Sequence, residues 1–394
     1  MGKVTQTELI AKAQAVQPEM IRIRRDIHAH PELSGQEKRT SEAVISELQR
    51  IGGYQIQSGI GGHGVLADLI VPGAKETIAL RADMDALSVE EETGLPYASQ
   101  NAGVMHACGH DTHVAMLLGA AEILMSFRED LPVNVRLIFQ PAEELSPVGG
   151  SRPMMREGAL EDVTAVYGLH VWPALPFGVV GVRPGAQMAS SDFFTVDIKG
   201  KSSHGAQPDQ GLDALIAGTH FVHAAQTIVS RSCNPLRSAV LTIGYFKAGS
   251  RYNIVPEECR MEGTVRTFDP ETQEMIENRL QEVLDGTCAI YGCTGKLHYQ
   301  RGYTSLRNDP AEAERVRQAA ESLFGPENAI VPDEPSACAE DFAYYLENAP
   351  GAFAWLGTTR PGAQEWPLHS CHYAPDEDVF WRGAALFAQL VLSR

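Results

Sequence analysis

The stretch MHACGHDTH, residues 105–113, combines a cysteine and histidines in a pattern that suits metal binding. Cys108 and His110 stand two residues apart in a glycine-containing turn, directly before an apolar helix expected over 112–127. Thiolate and imidazole are ligands of zinc and related divalent ions, and a helix N-terminus favours the thiolate form. In isolation, a buried cysteine beside a hydrogen-bonded histidine explains the pair equally well.

Acidic and imidazole side chains recur where predicted buried strands end. The predicted strand 77–85 ends with Asp83 and Asp85, and the predicted strand 165–170 ends with His170. Glu143 and Glu144 come just after the predicted strand 133–139. In an open α/β sheet, ligands bind beyond the carboxyl ends of the strands. The sequence therefore predicts that these groups meet the 105–113 turn at one edge of a sheet.

The adjacent carboxylates Glu143 and Glu144 suit a division of work. Neighbouring side chains on an extended segment point to different sides. One carboxylate can then bind metal while the other faces a water molecule as a general base. A solvated acidic pair after a strand is the alternative explanation.

The order of the predicted elements indicates the fold class. Strands separated by helices in the first part of the chain predict a mostly parallel α/β sheet, with Asp111 or Thr112 capping the helix over 112–127. The stretch from 193 to 301 instead has the order β-α-β-β-α-β of a ferredoxin-like unit. We therefore expect a discontinuous catalytic domain, 1–188 and 302–394, with an inserted domain at 189–301. One continuous α/β domain is the alternative.

Composition excludes several classes of protein. The 394 residues include 32 Lys+Arg and 50 Asp+Glu, a formal charge of −18 that disfavours nucleic acid and anionic membranes as partners. No segment reaches the roughly 18 consecutive apolar residues of a membrane span. Seven dispersed cysteines without a CxxC pair indicate reduced thiols rather than a disulfide framework. A cytoplasmic enzyme is expected.

Ten segments, taken in order, resemble the aminoacylase/carboxypeptidase metallohydrolase family. The resemblance is to its branch of hippurate hydrolases, N-acyl-amino-acid amidohydrolases and auxin-conjugate hydrolases, and it covers nearly the whole chain. The segments are RRDIHAHPELSGQE (24–37), RADMDAL (81–87), MHACGHDTH (105–113), IFQPAEE (138–144), YGLHVWP (167–173), SSHGAQP (202–208), YNIVPEE (252–258), GTVRTFD (263–269), AEDFAYYL (339–346) and LHSCHYAPDED (368–378).

The resemblance implies a zinc-peptidase-like catalytic domain, an inserted lid that also pairs subunits into a homodimer, and a residue-by-residue site. Two divalent metal ions, zinc or else manganese or cobalt, are implied, with an N-acyl-amino acid or a dipeptide as substrate. By this resemblance the metal ligands are Cys108, His110, Glu144, His170 and His369, and the general base is Glu143. His204 stabilises the oxyanion in trans, and Asn253 and Arg266 bind the substrate carboxylate. Asp83, Asp85 and His113 orient the metal ligands.

Three positions depart from the family pattern. Cys371 and His372 follow His369 and Ser370 where the branch usually has proline, LSPVGGSRP (145–153) replaces a glycine-rich run, and Cys338 stands before AEDFAYYL. The ligand types are unaffected, so the departures bear on the substrate rather than on the reaction.

Two rival functions remain open. A thiol hydrolase with Cys108 as nucleophile leaves Glu143, Glu144 and His369 unexplained. A non-catalytic, metal-free binding relative would be marked by lost ligands, whereas this chain has all five.

Overall fold

The chain is described by a computed structural model that covers residues 4–394. Its α-helices are α1 (Gln6–Ala29), α2 (Lys38–Ile51), α3 (His110–Ser126), α4 (Ser151–Arg156), α5 (Ala214–Thr227), α6 (Pro270–Tyr291), α7 (Pro310–Phe324), α8 (Ala343–Leu346) and α9 (Phe380–Leu392). Its strands are β1 (Gln55–Ile60), β2 (Gly64–Leu69), β3 (Thr77–Asp83), β4 (Asn134–Gln140), β5 (Val163–Pro176), β6 (Val180–Gly181), β7 (Gly185–Met188), β8 (Asp192–Lys199), β9 (Ser203–His204), β10 (Ala239–Ala248), β11 (Ile254–Val255), β12 (Glu258–Thr267), β13 (Thr294–Gln300), β14 (Leu306–Asn308), β15 (Ala329–Ile330) and β16 (Gly351–Thr359).

The chain forms two compact units. The first comprises the described residues up to Gln187, together with Arg307–Glu334 and Asp341–Arg394. The second comprises Met188–Leu306 and a short later segment, Pro335–Glu340. Each unit has its own cluster of buried apolar side chains.

The first unit is built on a mixed sheet. Within residues 4–394 the sheet has the strand order β1-β2-β4-β3-β5-β16-β6-β15. Its four central strands, β4, β3, β5 and β16, run parallel, whereas β1, β2 and β6 pair antiparallel to their inner neighbours. The expected α/β class is therefore present, although antiparallel strands flank the parallel centre.

Helices α1, α3 and α9 share one apolar cluster with the central strands. α3 (HDTHVAMLLGAAEILMS) is rich in strong helix formers and apolar over most of its surface, so it is almost completely buried. A Cβ placed on Gly383 of α9 would lie 2.2 Å from Met116 Sδ of α3, so a larger residue there would require the Met116 side chain to move. None of the helices between residues 4 and 394 is both long and apolar enough to cross a membrane.

Helix ends in this unit follow local sequence signals in some places and not in others. α1 begins with a capping box of Thr5 and Glu8, and α7 begins at Pro310 after the capping residue Asp309. The last helix, α9, begins at Phe380, directly after the 3₁₀ turn Glu377–Val379, which Asp376 caps.

The second unit contains an antiparallel sheet with the strand order β10-β12-β8-β13. Along the chain its elements run β8, α5, β10, β12, α6, β13. Burial alternates along β8, as expected for a sheet with one face on a core formed with α5 and α6. α6 starts at Pro270 after the capping residue Asp269 and ends at Tyr291, followed by Gly292, which has φ +68°.

Candidate metal centre

The site lies at the carboxyl ends of the central parallel strands. β3 ends at Asp83, which pairs with Gln140 at the end of β4. His170 lies two residues beyond Gly168, the last residue of β5 that pairs with β3. The sequence prediction that His170 ends its own strand is wrong, because β5 continues to Pro176 alongside β16. His170 nevertheless faces the edge at which β3 stops.

Gly109 shapes the turn between Cys108 and His110. It has φ +87°, and a Cβ on it would lie 2.6 Å from Val171 Cγ2, so the turn requires glycine. α3 begins at His110 without a side-chain cap. The prediction that Asp111 or Thr112 caps this helix is therefore wrong, and the Asp111 carboxylate instead binds Arg24 Nε at 2.7 Å.

Two histidines direct their Nε2 atoms into the site. His110 Nδ1 lies 3.2 Å from Asp85 Oδ1, and His170 Nδ1 donates to the Val171 carbonyl at 2.6 Å. His170 Nε2 then lies 3.4 Å from Cys108 Sγ. His110 Nε2 is buried and has no hydrogen-bond partner among residues 4–394, although Asp83 Oδ2 lies 3.6 Å away. Hydrogen bonds of this kind at Nδ1 fix the tautomer that leaves Nε2 free for a metal.

Glu143 and Glu144 lie in a turn rather than on extended backbone. The turn follows Ala142, which has the left-handed backbone angle φ +57°. Both carboxylates have an oxygen within 4.8 Å of a ring nitrogen of His110. Glu144 Oε1 lies 3.2 Å from His369 Nε2, and the Glu144 amide donates to Asp85. The alternation argument for opposite directions therefore fails here.

The donor atoms form overlapping groups whose members all lie within 4.8 Å of one another. One group is Cys108, His110 and His170; a second is Cys108, Glu144 and His369; a third is His110, Glu143 and Glu144. The first two share Cys108, as two neighbouring ions with a common ligand would require. Together with the unpartnered His110 Nε2 within the described chain, this mixed S, N and O set fits borderline divalent cations.

A further group, Asp83, His110 and His113, meets the same distance criterion but is a hydrogen-bond network. His113 Nδ1 lies 2.6 Å from Asp83, and His113 Nε2 accepts the Val171 amide at 2.9 Å. Both ring nitrogens of His113 are thus engaged. His113 and Asp83 hold the site's framework and leave no lone pair on His113 for a metal.

Charges in the site favour a bound cation. Burial raises the pKa of the Cys108 thiol well above its usual range, and the Glu144 and Glu143 carboxylates act in the same direction. The expected stabilisation of a thiolate by the helix N-terminus is therefore outweighed in the metal-free protein. Burial alone would lower the pKa of His110, but Asp83 and Asp85 raise it to about 10. A proton on His110 thus partly neutralises carboxylates that a divalent ion would neutralise better.

Two buried acids that support this turn were not among the predicted site residues. Glu37 Oε1 accepts the amides of Gly35 and Ala142, each at 2.8 Å, and burial raises its pKa to about 7. Asp341 accepts the Gly150 amide, and its own amide donates to Glu143 Oε1 at 3.3 Å. Both belong to segments noted for family resemblance, but a sequence does not reveal which acids in a motif become buried.

The remaining predicted residues belong to the second unit. His204 on β9 pairs with Ile254 on β11, and the Gly205 amide donates to the Asn253 carbonyl at 2.9 Å, so His204 and Asn253 are brought close together. Asn253 Oδ1 is buried without a hydrogen-bond partner in the described chain. Arg266 lies on β12 and donates to the Val265 carbonyl at 3.0 Å.

The chain is similar to named enzymes over most of its length. An N-acetyl-L-cysteine deacetylase of Bacillus subtilis is 42% identical over 351 residues, which cover 89% of this chain and 82% of the relative. Thermostable carboxypeptidase 1 of Saccharolobus solfataricus is 37% identical over 377 residues, covering 95% and 94%.

A solved structure of a dinuclear metal-binding peptidase of the M20 family from Bacillus subtilis superposes with a TM-score of 0.84. It is 36% identical and covers 96% of this chain and 98% of that one. The sequence model of peptidase family M20/M25/M40 matches residues 79–393, four-fifths of the chain. With its metal-type side chains gathered at one edge of a mixed α/β sheet, this chain belongs to peptidase family M20/M25/M40.

Proposed function

We propose that this protein hydrolyses the amide bond of N-acyl-L-amino acids with the help of two divalent metal ions. The observation that carries the proposal is the convergence of five ligand-type side chains from separate elements at one edge of the sheet. These side chains are Cys108, His110, Glu144, His170 and His369. The N-acetyl-L-cysteine deacetylase activity named for a relative of 42% identity supports the substrate class.

In the proposed reaction, Glu143 is the general base. When bound, the divalent cations polarise the scissile carbonyl and lower the pKa of the attacking water. Glu143 takes the proton from that water and returns it to the leaving amine. The Asp341 amide, donating to Glu143 Oε1 at 3.3 Å, holds the carboxylate in position. Asp83, Asp85 and His113 orient the side chains that hold the metal.

Zinc is the proposed metal, with manganese or cobalt as alternatives. A cysteine ligand favours zinc, whereas carboxylate and imidazole ligands also suit manganese and cobalt. The cysteines at 108, 233, 259, 288, 293, 338 and 371 are all free, which supports a cytoplasmic location for the enzyme.

We further propose that the second unit acts as a ferredoxin-like lid, inserted at about 189–301, which carries three residues to the substrate. His204 is exposed, so its side chain is available to a ligand. The planar guanidinium of Arg266 suits a substrate carboxylate. Asn253 Nδ2 can donate to the same carboxylate, while Asn253 Oδ1, which has no hydrogen-bond partner within residues 4–394, can accept an N–H of the substrate. In this proposal His204 stabilises the oxyanion, while Asn253 and Arg266 bind the carboxylate.

A carboxypeptidase or dipeptidase activity is the second candidate, since thermostable carboxypeptidase 1 is a relative over 95% of the chain. A panel of N-acetyl-, N-benzoyl- and indole-acetyl-amino acids, together with dipeptides and N-blocked dipeptides, separates the two. Preference for simple acyl groups supports the aminoacylase proposal, whereas preference for peptidyl substrates supports the alternative.

The primary test is metal removal. Chelation and dialysis should abolish hydrolysis of every accepted substrate, and a divalent ion should restore it, because both the water and the carbonyl depend on a cation for activation. Full activity in metal-free protein would refute the proposal. A thiol hydrolase with Cys108 as nucleophile would then be the remaining explanation, and loss of activity in Cys108→Ser would test it.

The free carboxylate of the substrate should be required. Converting the carboxylate of an accepted substrate to an amide should cost about 2–5 kcal/mol in kcat/KM if Arg266 is left desolvated and unpaired. In the Arg266→Ala variant the acid and the amide should react at similar rates. If the wild-type enzyme treats both alike, neither Arg266 nor Asn253 binds the carboxylate.

A further inference from the structure

A second group of metal-type side chains lies apart from the dinuclear centre. Glu92, Cys371 and His372, here called the Glu92 cluster, each offer a donor atom, and these atoms lie within 4.8 Å of one another. None of the three is among the proposed ligands of the dinuclear centre. Cys371 and His372 are also the residues at which the sequence departs from the family pattern, so the cluster is a feature of this chain.

Backbone hydrogen bonds hold the cluster together. The Glu92 amide donates to the Cys371 carbonyl at 2.9 Å, which ties the two segments to each other. His372 Nδ1 lies 3.0 Å from the Glu92 carbonyl. Because a carbonyl can only accept, Nδ1 must carry the proton, and the neutral imidazole then presents its lone pair at Nε2. This is the tautomer that a metal-binding histidine needs.

The distance between two of the donors suits a single ion. His372 Nε2 lies 3.6 Å from Glu92 Oε2, which is too long for a hydrogen bond. Zinc–nitrogen and zinc–oxygen bonds of about 2.0–2.2 Å at a tetrahedral angle separate the two ligand atoms by roughly 3.4 Å. The pair therefore has the spacing of two ligands that share one cation.

One side of the Glu92 cluster is covered by an aromatic ring, and the other side is open to solvent. The Trp366 ring packs against the His372 imidazole with their centroids 4.6 Å apart, which restricts rotation of the imidazole. Glu92 is exposed to solvent, and Cys371 and His372 are half-buried. Water can thus reach the fourth position of a tetrahedral ion held by these three side chains.

We propose that Glu92, Cys371 and His372 form a third metal site that takes a zinc-like divalent cation through thiolate, imidazole and carboxylate, with water as the fourth ligand. Such an ion would cross-link the Glu92 segment to the segment that carries His369, two residues before Cys371. The site binds more weakly than the dinuclear centre, because it is open to solvent, whereas Cys108, His110 and His170 are buried. The proposal stands independently of the reaction catalysed.

The test counts ions. Holoenzyme is dialysed to equilibrium against increasing free zinc, and bound zinc per chain is measured by elemental analysis. Wild-type protein should bind one equivalent more than the Cys371→Ser and His372→Ala variants at the same free zinc concentration. Cys338→Ser, which removes an exposed thiol, and His63→Ala, which removes a half-buried imidazole, are the matched controls and should retain the extra equivalent.

A second measurement identifies the thiolate. Cobalt added after the dinuclear centre is filled with zinc should produce thiolate-to-cobalt charge-transfer absorption in wild-type protein but not in Cys371→Ser. If Cys371→Ser unfolds, Glu92→Gln serves in its place, read by zinc count and by weakened cobalt absorption. Equal zinc counts in wild-type and variant proteins would overturn the proposal. The readout is a difference of one ion, so failure of the dinuclear assignment does not affect it.

Discussion

Glu143 and Glu144 are neighbours in the chain with different partners. Glu143 Oε1 accepts the Asp341 amide at 3.3 Å, whereas Glu144 Oε1 lies 3.2 Å from His369 Nε2. Both carboxylates also lie within 4.8 Å of a His110 ring nitrogen, so the contact of Glu144 with His369 is what sets it apart. This difference in partners, rather than opposite side-chain directions, is the basis for assigning them separate roles.

The Glu143→Gln variant tests that assignment. It should retain wild-type metal content but lose about 10²–10⁴-fold in turnover, because glutamine is the same size and cannot accept the proton. Glu144→Ala should instead lose metal under the same dialysis conditions. Metal content and kcat are measured on the same preparations, and near-normal turnover in Glu143→Gln would refute Glu143 as the base.

Metal loading should release protons. Burial raises the pKa of Cys108 far above its usual range, and the pKa of His110 is about 10, so at pH 7–8 both are protonated in the metal-free protein. A ligand must lose its proton to bind a metal. Loading should therefore release about two protons per chain, and metal affinity should rise with pH between pH 6 and pH 9.

Calorimetric metal titrations in buffers of different ionisation enthalpy measure this release. Cys108→Ser, in which the hydroxyl has no proton to lose in this range, should release about one proton fewer with any ion it still binds. The ionisation states given for Cys108 and His110 would be contradicted if metal binding released no protons and if the metal affinity were the same at pH 6 and pH 9.

Helices α1 and α3 are joined by a buried ion pair next to the metal centre. Arg24 Nε lies 2.7 Å from Asp111 Oδ2, and His28 Nδ1 lies 2.8 Å from the same oxygen. All three side chains are fully buried. Asp111 directly follows His110, so the pair also helps to fix the start of α3.

Arg24→Ala should destabilise the protein by about 3–5 kcal/mol, because it leaves the Asp111 carboxylate buried beside one histidine. Arg25→Ala is the matched control: its side chain is 47% exposed and binds Glu377, and its loss should cost only ~0–1 kcal/mol. Urea unfolding measures both. Adding Asp111→Asn to Arg24→Ala should recover part of the loss, and equal costs for Arg24 and Arg25 would contradict this account.

The two units have separate cores, and the proposed function requires residues from both. Cys108, His110 and Glu143 belong to the first unit, whereas His204 belongs to the second. A closed two-fold dimer is the commonest homo-oligomer, and the exposed His204 could serve the site of a partner chain. We propose a homodimer in which His204 acts in trans.

Mixing two inactive variants tests this arrangement. His204→Ala and Glu143→Gln homodimers should each be nearly inactive. If His204 acts in trans, a mixed dimer has one site with both defects and one intact site, so activity should return as subunits exchange. Subunit exchange is followed independently with differently tagged chains. Exchange without recovery of activity would mean that His204 serves the site of its own subunit or takes no part in catalysis.

The sequence by itself predicted the α/β class, the family and the segments that carry the chemistry. The class and the segments follow from local signals: apolar strands followed by acidic or imidazole residues, and a Cys-Gly-His turn before an apolar helix. The family follows from ten motif segments in order. Such signals can be recognised without the tertiary structure, because side-chain type and backbone preference act over a few residues.

Other features arise from contacts between distant segments. Burial of Asp111 with Arg24, 87 residues away, leaves α3 without a side-chain cap. The left-handed conformation of Ala142 brings Glu143 and Glu144 to the same side, and it is held by Glu37, 105 residues earlier. Burial and neighbouring carboxylates set the pKa directions of Cys108 and His110. Desolvation and charge depend on everything that surrounds a group, so the order of residues alone did not reveal them.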